Sequence, residues 1–174
     1  MEMSIYISDL EAYNNGYLKG EWIELPTEEE EIKEAINRQN NNGLSVYAIH
    51  DYILPFSISE YEDIYKINEL CESIQNLKIT EGIINHIEYS TSTNIKDMDY
   101  MELKEAIEEI QIIEASTNKE FAENYIQELY GDKIEMLPWE IAYSIDYYTV
   151  FDKLSMTMDI TQDREENIYY YSYK

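Results

Sequence analysis

Apolar residues recur along this chain at two spacings, and the switch from one to the other divides it into sections. In "SIYISDL", residues 4–10, and "YLKGEWIEL", residues 17–25, β-branched and aromatic residues predominate, which predicts two strands. "NNG" at 14–16 is a turn signal between them. "LPTEEEEIKEAI", residues 25–36, then predicts a helix to about Arg38, because Thr27 can cap free backbone N–H groups and acids in a first turn suit the helix dipole. Glu30 follows Thr27 at capping-box spacing, and Glu29–Lys33 and Glu34–Arg38 stand at ion-pair spacing. "QNNNG", residues 39–43, interrupts the chain before "SVYAIHDY", a third strand.

From Ser59, placed to cap, the period becomes helical: Ile64, Ile67, Leu70, Cys71, Ile74 and Leu77 form one stripe. A second helix is predicted over 80–88 around Ile83, Ile84 and Ile87, a loop over 89–94, and a less periodic helix over 95–109. "IQIIEAS", residues 110–116, reads as strand. A helix from Thr117 carries Phe121, Ala122, Tyr125, Ile126, Leu129 and Tyr130 on one side, with Gly131 as its stop. "LPWEIAYSI" and "DYYTVFDKL" predict two short helices, the second capped by Asp146, and "SMTMDIT" with "NIYYYSY" predicts a closing hairpin. The expectation is an α+β chain in three small sections: an N-terminal α+β section over 1–60, a central helical section over 61–109 and a C-terminal α+β section over 110–174.

Charge changes this picture more than any motif does. The 174 residues hold 37 acids against 12 lysines and arginines, a net charge of −25, while 44% are hydrophobic, enough for a folded core. Residues 1–60 hold 12 acids and 3 bases, residues 61–120 hold 14 and 5, and residues 121–174 hold 11 and 4. Such a surface repels nucleic acid and anionic membrane, so the expected partner is basic. Cys71 is the sole cysteine and lies on the apolar stripe, as a buried thiol in a reducing compartment would. With neither a leader pattern nor a run of transmembrane length, the expectation is a cytoplasmic protein.

Candidate chemistry is sparse. No phosphate-cradling glycine loop, nucleophile elbow or HExxH motif occurs, and the acids at Asp97 and Asp99 lack the glycine that a calcium loop needs. His50 and Asp51, adjacent in a strand, point to opposite faces and do not orient one another, and His86 is isolated in the sequence. Neither catalytic residue, metal nor cofactor is expected. Two acids of 37 could approach as a hydrolase pair, a signal without specificity, and a carboxylate-dependent hydrolase would need a concave site. The 18 tyrosines suit a thin core, a self-association surface, or both.

"IYISDLEAYNNGYLKGEWIELP", "YAIHDYILPF", "FAENYIQELYGD" and "LPWEIAYSIDYYTVFDKL" resemble, in order and spacing, the ArdA family of antirestriction proteins carried by mobile genetic elements. The resemblance implies a non-enzymatic DNA mimic: an elongated, three-domain acidic homodimer, joined through its C-terminal domain, that occupies the DNA site of type I restriction–modification enzymes. It places the family's antirestriction motif and the dimer contact around Tyr125, Glu128, Leu129, Tyr130 and Leu137.

Charge density fits the same expectation. Duplex DNA carries one charge per about 1.7 Å of axis, so a charge of −25 corresponds to roughly 40 Å of duplex and a dimer to roughly 80 Å. Acids three or four apart on a helix stand roughly 5–6 Å apart at Cβ, on the order of the phosphate spacing along a strand. The candidate mimic surface comprises Glu28, Glu29, Glu30, Glu31, Glu34, Asp51, Glu62, Asp63, Glu69, Glu72, Asp97, Asp99, Glu102, Glu105, Glu108 and Glu109. An acidic interaction module directed at another basic partner, such as a nucleoid protein or a CRISPR nuclease, is the alternative.

Overall fold

A computed structural model describes residues 1–17, 19–39 and 47–174, with the Glu11 side chain excepted. The fold is α+β, with two small antiparallel sheets among helices. Its contacts divide the chain into two compact units, the first made of Met1–Glu81 with Ile95–Tyr100, the second of Gly82–Asn94 with Met101–Lys174.

In the first unit, β1 (Ser4–Asp9) runs between β2 (Gly20–Glu24) and β3 (Tyr47–Ile53). Ile5, Ile7, Ile23 and Ile49 of the sheet are buried, as are Ile32 and Ala35 of α2 (Glu29–Gln39), while α3 (Ile64–Leu77) buries Ile64, Ile67, Leu70, Cys71 and Ile74. The predicted stripe of α3 is thus its core face, with Leu77 half-buried at its end. The turn foreseen at 14–16 is preceded by a short helix, α1 (Leu10–Asn14), because the Asp9 carboxylate accepts the Ala12 N–H at 3.1 Å and ends the strand in a helical turn. Residues 40–46, which include most of the "QNNNG" break and the start of the third predicted strand, lie outside the described residues.

The start of α2 differs from its predicted cap. The Thr27 hydroxyl donates to Glu31, not reciprocally with Glu30, and its backbone is held by Asn68 of α3: the Thr27 N–H donates to Asn68 Oδ1 at 2.8 Å and Asn68 Nδ2 donates to the Thr27 carbonyl at 2.9 Å. With Thr27 pinned outside the helix, the Glu28 carbonyl accepts the first helical N–H groups. Lys33 pairs with Glu30 at 3.3 Å instead of Glu29, while Arg38 keeps Glu34 at 3.7 Å and also forks onto Glu21 at 3.0 and 3.2 Å. Ser59 does not cap α3: its N–H and hydroxyl donate to Glu62, and Asp63 is the cap, accepting the Tyr65 N–H at 3.0 Å.

In the second unit, β6 (Ile168–Tyr173) lies between β4 (Gln111–Glu114) and β5 (Met158–Asp163). On one face Ile113, Phe121, Tyr125, Met158, Tyr169 and Tyr171 make the core with partly buried Phe151 and Leu154. Phe121, at the centre, lies 5.0 Å from Tyr169 and 5.7 Å from Tyr171, ring to ring, so several tyrosines are core residues. The other face receives α4 (Glu81–Thr91), whose Gly82 lets the Tyr170 ring approach so closely that an added Cβ would stand 2.5 Å from it. The loop foreseen from 89 begins only after Thr91.

A 3-10 turn (Ile95–Asp97) and α5 (Tyr100–Glu108) replace the single helix foreseen over 95–109. Thr117 caps α6 (Asn118–Glu135), which passes through Gly131 instead of stopping there, because that glycine is helical and buried, with the Gln127 amide over the place of its missing side chain. The two short helices are α7 (Trp139–Ala142) and α8 (Tyr147–Leu154), the latter capped by Asp146 as foreseen. Among the described residues no helix is long and apolar enough to cross a membrane.

Candidate functional site

The N-terminal acids converge around α3. Its Glu69 and Glu72 border two open grooves of the first unit: one of about 830 Å³ shared with Glu28, Glu29 and Glu30 at the start of α2, the other of about 630 Å³ shared with Asp97 and Asp99 of the segment after α4. Seven candidates distant in sequence thus form one acidic ridge. Asn68 sets the geometry of its first half, since its two hydrogen bonds to Thr27 tie the middle of α3 to the start of α2. Lys66 and Lys96 border the second groove, where cations take up part of the charge.

The remaining candidates are placed one by one. Glu31 and Glu34 are exposed on α2, and Asp51 is exposed on β3, where it accepts the Tyr52 N–H. Asp63 is exposed but serves as a helix cap. Glu62 is half-buried and paired with Lys96 at 3.3 Å; hydrogen bonds from Ser59, then the Lys96 ammonium, hold its carboxyl below the usual range. Glu102, Glu105 and Glu108 are exposed on α5, with Glu109 exposed just beyond it. Every acid of the set but Glu62 therefore faces solvent.

Of the five C-terminal candidates, Tyr125 is buried in the core, its hydroxyl 3.0 Å from that of Tyr173, and burial followed by that bond raises its pKa. Glu128, Leu129 and Tyr130 are exposed on α6, the Tyr130 ring lying 5.3 Å from the Lys133 ammonium, and Leu137 is exposed in the turn after it. Sequence reasoning missed a larger exposed apolar surface around Leu137: Met136, Trp139, Ile141 and Tyr143 are all exposed, Met136 and Tyr143 by more than four-fifths. The signal was available, since α7 has only four residues, too few to form a buried face.

The histidines have partners that the sequence did not reveal. His50 is the extra residue of a bulge, where Tyr6 pairs with Asp51 and Ile7 with Ile49; it meets Glu60 at 3.7 Å and the Tyr13 ring edge-on. His86, isolated in the sequence, is fully buried, with Nδ1 2.9 Å from the Thr161 hydroxyl and Nε2 3.1 Å from that of Ser172. Burial lowers its pKa, against a smaller opposing effect of Asp159. Cys71 is buried and its thiol is pushed up to about 12 by desolvation, so it is no nucleophile. Among the described residues no cluster of histidine, cysteine and acid has the geometry of a metal site.

The chemistry on offer is carboxylate in quantity, set on helices and open to solvent. No curated protein matches the chain. The family described as "Antirestriction protein (ArdA)" matches residues 5–165, which reach from β1 into the turn between β5 and β6. With nearly its whole length covered, the chain belongs to the ArdA family of antirestriction proteins.

Proposed function

We propose that this protein is a non-enzymatic DNA mimic that occupies the DNA-binding channel of a type I restriction–modification enzyme. The observation that carries the reading is the spread of acid, most of it exposed, over both units: 19 acids against 6 bases in the first and 18 against 6 in the second, or −13 and −12. Solubility alone needs a net charge of only about 2–8 in magnitude for a small domain. Opposed acids on one helix, such as Glu69 with Glu72 or Glu102 with Glu105, each work against folding by a few tenths of a kcal/mol, so their retention points to use.

In this mechanism the acids attract a cationic channel at long range and then stand where phosphates would, with side chains held by helices that are already folded. No bond is made or broken; access is blocked by occupancy. The three-section arrangement over 1–60, 61–109 and 110–174, drawn out into a rod, belongs to this proposal, as does action in the cytoplasm, where restriction takes place. A homodimer joined through the C-terminal region is supported by the exposed Leu129, Met136, Leu137, Trp139, Ile141 and Tyr143, an apolar surface that a second copy would cover.

Gel-shift competition tests the reading. The protein should displace DNA from a purified type I methyltransferase at low salt; no displacement ends the proposal and favours another basic partner. Small-angle scattering with mass determination should report an elongated dimer, and a compact monomer would contradict the arrangement.

A further inference from the structure

The first sheet has two outer strands, and among the described residues only β3 is engaged on its outer side. On β3 the Ile49 N–H donates outward to the Glu60 carbonyl at 2.9 Å. On β2 the Asp9 N–H donates to the Lys19 carbonyl and the Leu25 N–H to the Met3 carbonyl, so the odd residues of the strand face β1. The N–H and C=O of Trp22 and Glu24 therefore point away from the sheet, and among the described residues nothing pairs with them. Beside this edge runs a groove of about 340 Å³, floored by Ile23 and Ala35 and bordered by Thr27, Glu31 and Arg38 of α2 and the segment before it. The cation at its border is already engaged, because Arg38 forks onto Glu21 and reaches Glu34.

The opposite face of the same edge is aromatic and acidic. Trp22 is about half exposed, and its ring lies 5.6 Å from that of Tyr6, which rests across Gly20, where an added Cβ would stand 2.6 Å from the Tyr6 ring. Glu24 is exposed beside them. We infer that β2 is a docking edge for an extended basic segment of a partner protein, which adds as a fourth strand. Its alternate side chains lie over Trp22 and Glu24 on one face, where arginine suits both the indole and the carboxylate, and enter the groove beside Ala35 on the other, where an aliphatic side chain suits. A second copy of this chain is the wrong occupant, because it would bring its own Glu24 and Glu31 against these. This goes beyond competition with DNA, which requires charge but no main-chain pairing.

The test uses the full-length protein with Trp139→Phe, so that Trp22 is its sole indole, and a short capped peptide in which arginine alternates with valine. Titration should change Trp22 fluorescence and protect the Trp22 and Glu24 amides from hydrogen exchange. A peptide of identical charge, N-methylated at the pairing positions, separates strand addition from general attraction to an acidic protein. It should bind about tenfold more weakly or worse, and a smaller loss overturns the proposal. Replacing Trp22 by Ala, with binding then read from exchange protection of the Glu24 amide, should weaken the parent peptide roughly three- to thirtyfold. Equal binding of a glutamine-for-arginine peptide, or no binding of the parent, also overturns it. The peptide assay contains no restriction enzyme and the DNA competition contains no peptide, so either can fail without the other.

Discussion

The acidic ridge allows a worked prediction. Replace Glu28, Glu29, Glu30, Glu69 and Glu72 by Gln and Asp97 and Asp99 by Asn, which removes seven of the charges bordering the two grooves around α3. A unit charge about 10 Å from a partner cation in water is worth about 0.4 kcal/mol. At 0.01 M salt, with a Debye length of about 30 Å, roughly 0.3 kcal/mol of this survives, or about 2 kcal/mol for the seven. At 0.15 M the Debye length of about 8 Å leaves roughly 0.1 kcal/mol each and under 1 kcal/mol together. The variant should therefore compete with DNA about thirtyfold less well at the lower salt and about fourfold less well at the higher, as gel-shift titrations against a type I methyltransferase would record. Its folding should be close to unchanged, because relief of the Glu69–Glu72 repulsion offsets the loss of favourable acids at the start of α2. Competition unaltered at both salts, or reduced equally at both, would refute the charge argument, and a collapse of urea stability would mean that the acids are structural.

The packing supports three further expected outcomes. Gly82→Ala gains helix propensity but drives a methyl into the buried Tyr170 ring, so a net loss of about 1–3 kcal/mol is expected in urea unfolding. Native Cys71, with its pKa pushed up to about 12, should stay unlabelled by iodoacetamide at mild alkaline pH during a period in which urea-unfolded chain is fully alkylated; rapid native labelling would contradict its burial. His86 has a folded pKa below its ordinary value of about 6.5, so the unfolded chain takes up the proton first. The stability it contributes is complete above about pH 6.5 and is lost as pH falls through that value towards the folded pKa; His86→Gln should flatten this part of the urea midpoint against pH, and an unchanged slope would assign the effect elsewhere.

Much of this fold was legible because periodicity reports burial. The stripe from Ile64 to Ile74, the helix from Thr117, the Asp146 cap and the closing hairpin appear where the spacing puts them. What the pattern misassigned depended on partners remote in sequence. Thr27 has the side chain of a cap, but Asn68, 41 residues away, holds its backbone outside the helix. Gly131 suits a helix end, but a buried helical glycine costs only about 1 kcal/mol when helix formers come after it. His86 looked isolated because Thr161 and Ser172, 75 and 86 residues away, are brought to it only by the sheet. For the candidate site, the sequence identified acids in abundance, and exposure of nearly all of them was foreseeable from their chemistry. That Glu69 and Glu72 would stand between two other acid groups was not, since no local pattern brings residues 28, 69 and 97 together.

The Asn68 amide joins α3 to the start of α2 through neutral hydrogen bonds, so the layout of that half of the ridge does not itself depend on ions. On the proposed mechanism, concentrated electrolyte weakens the pull on a cationic channel while leaving the carboxylates of α2 and α3 in formation. Inhibition quenched by brine should return on dilution as fast as two molecules can meet, with no refolding step in between.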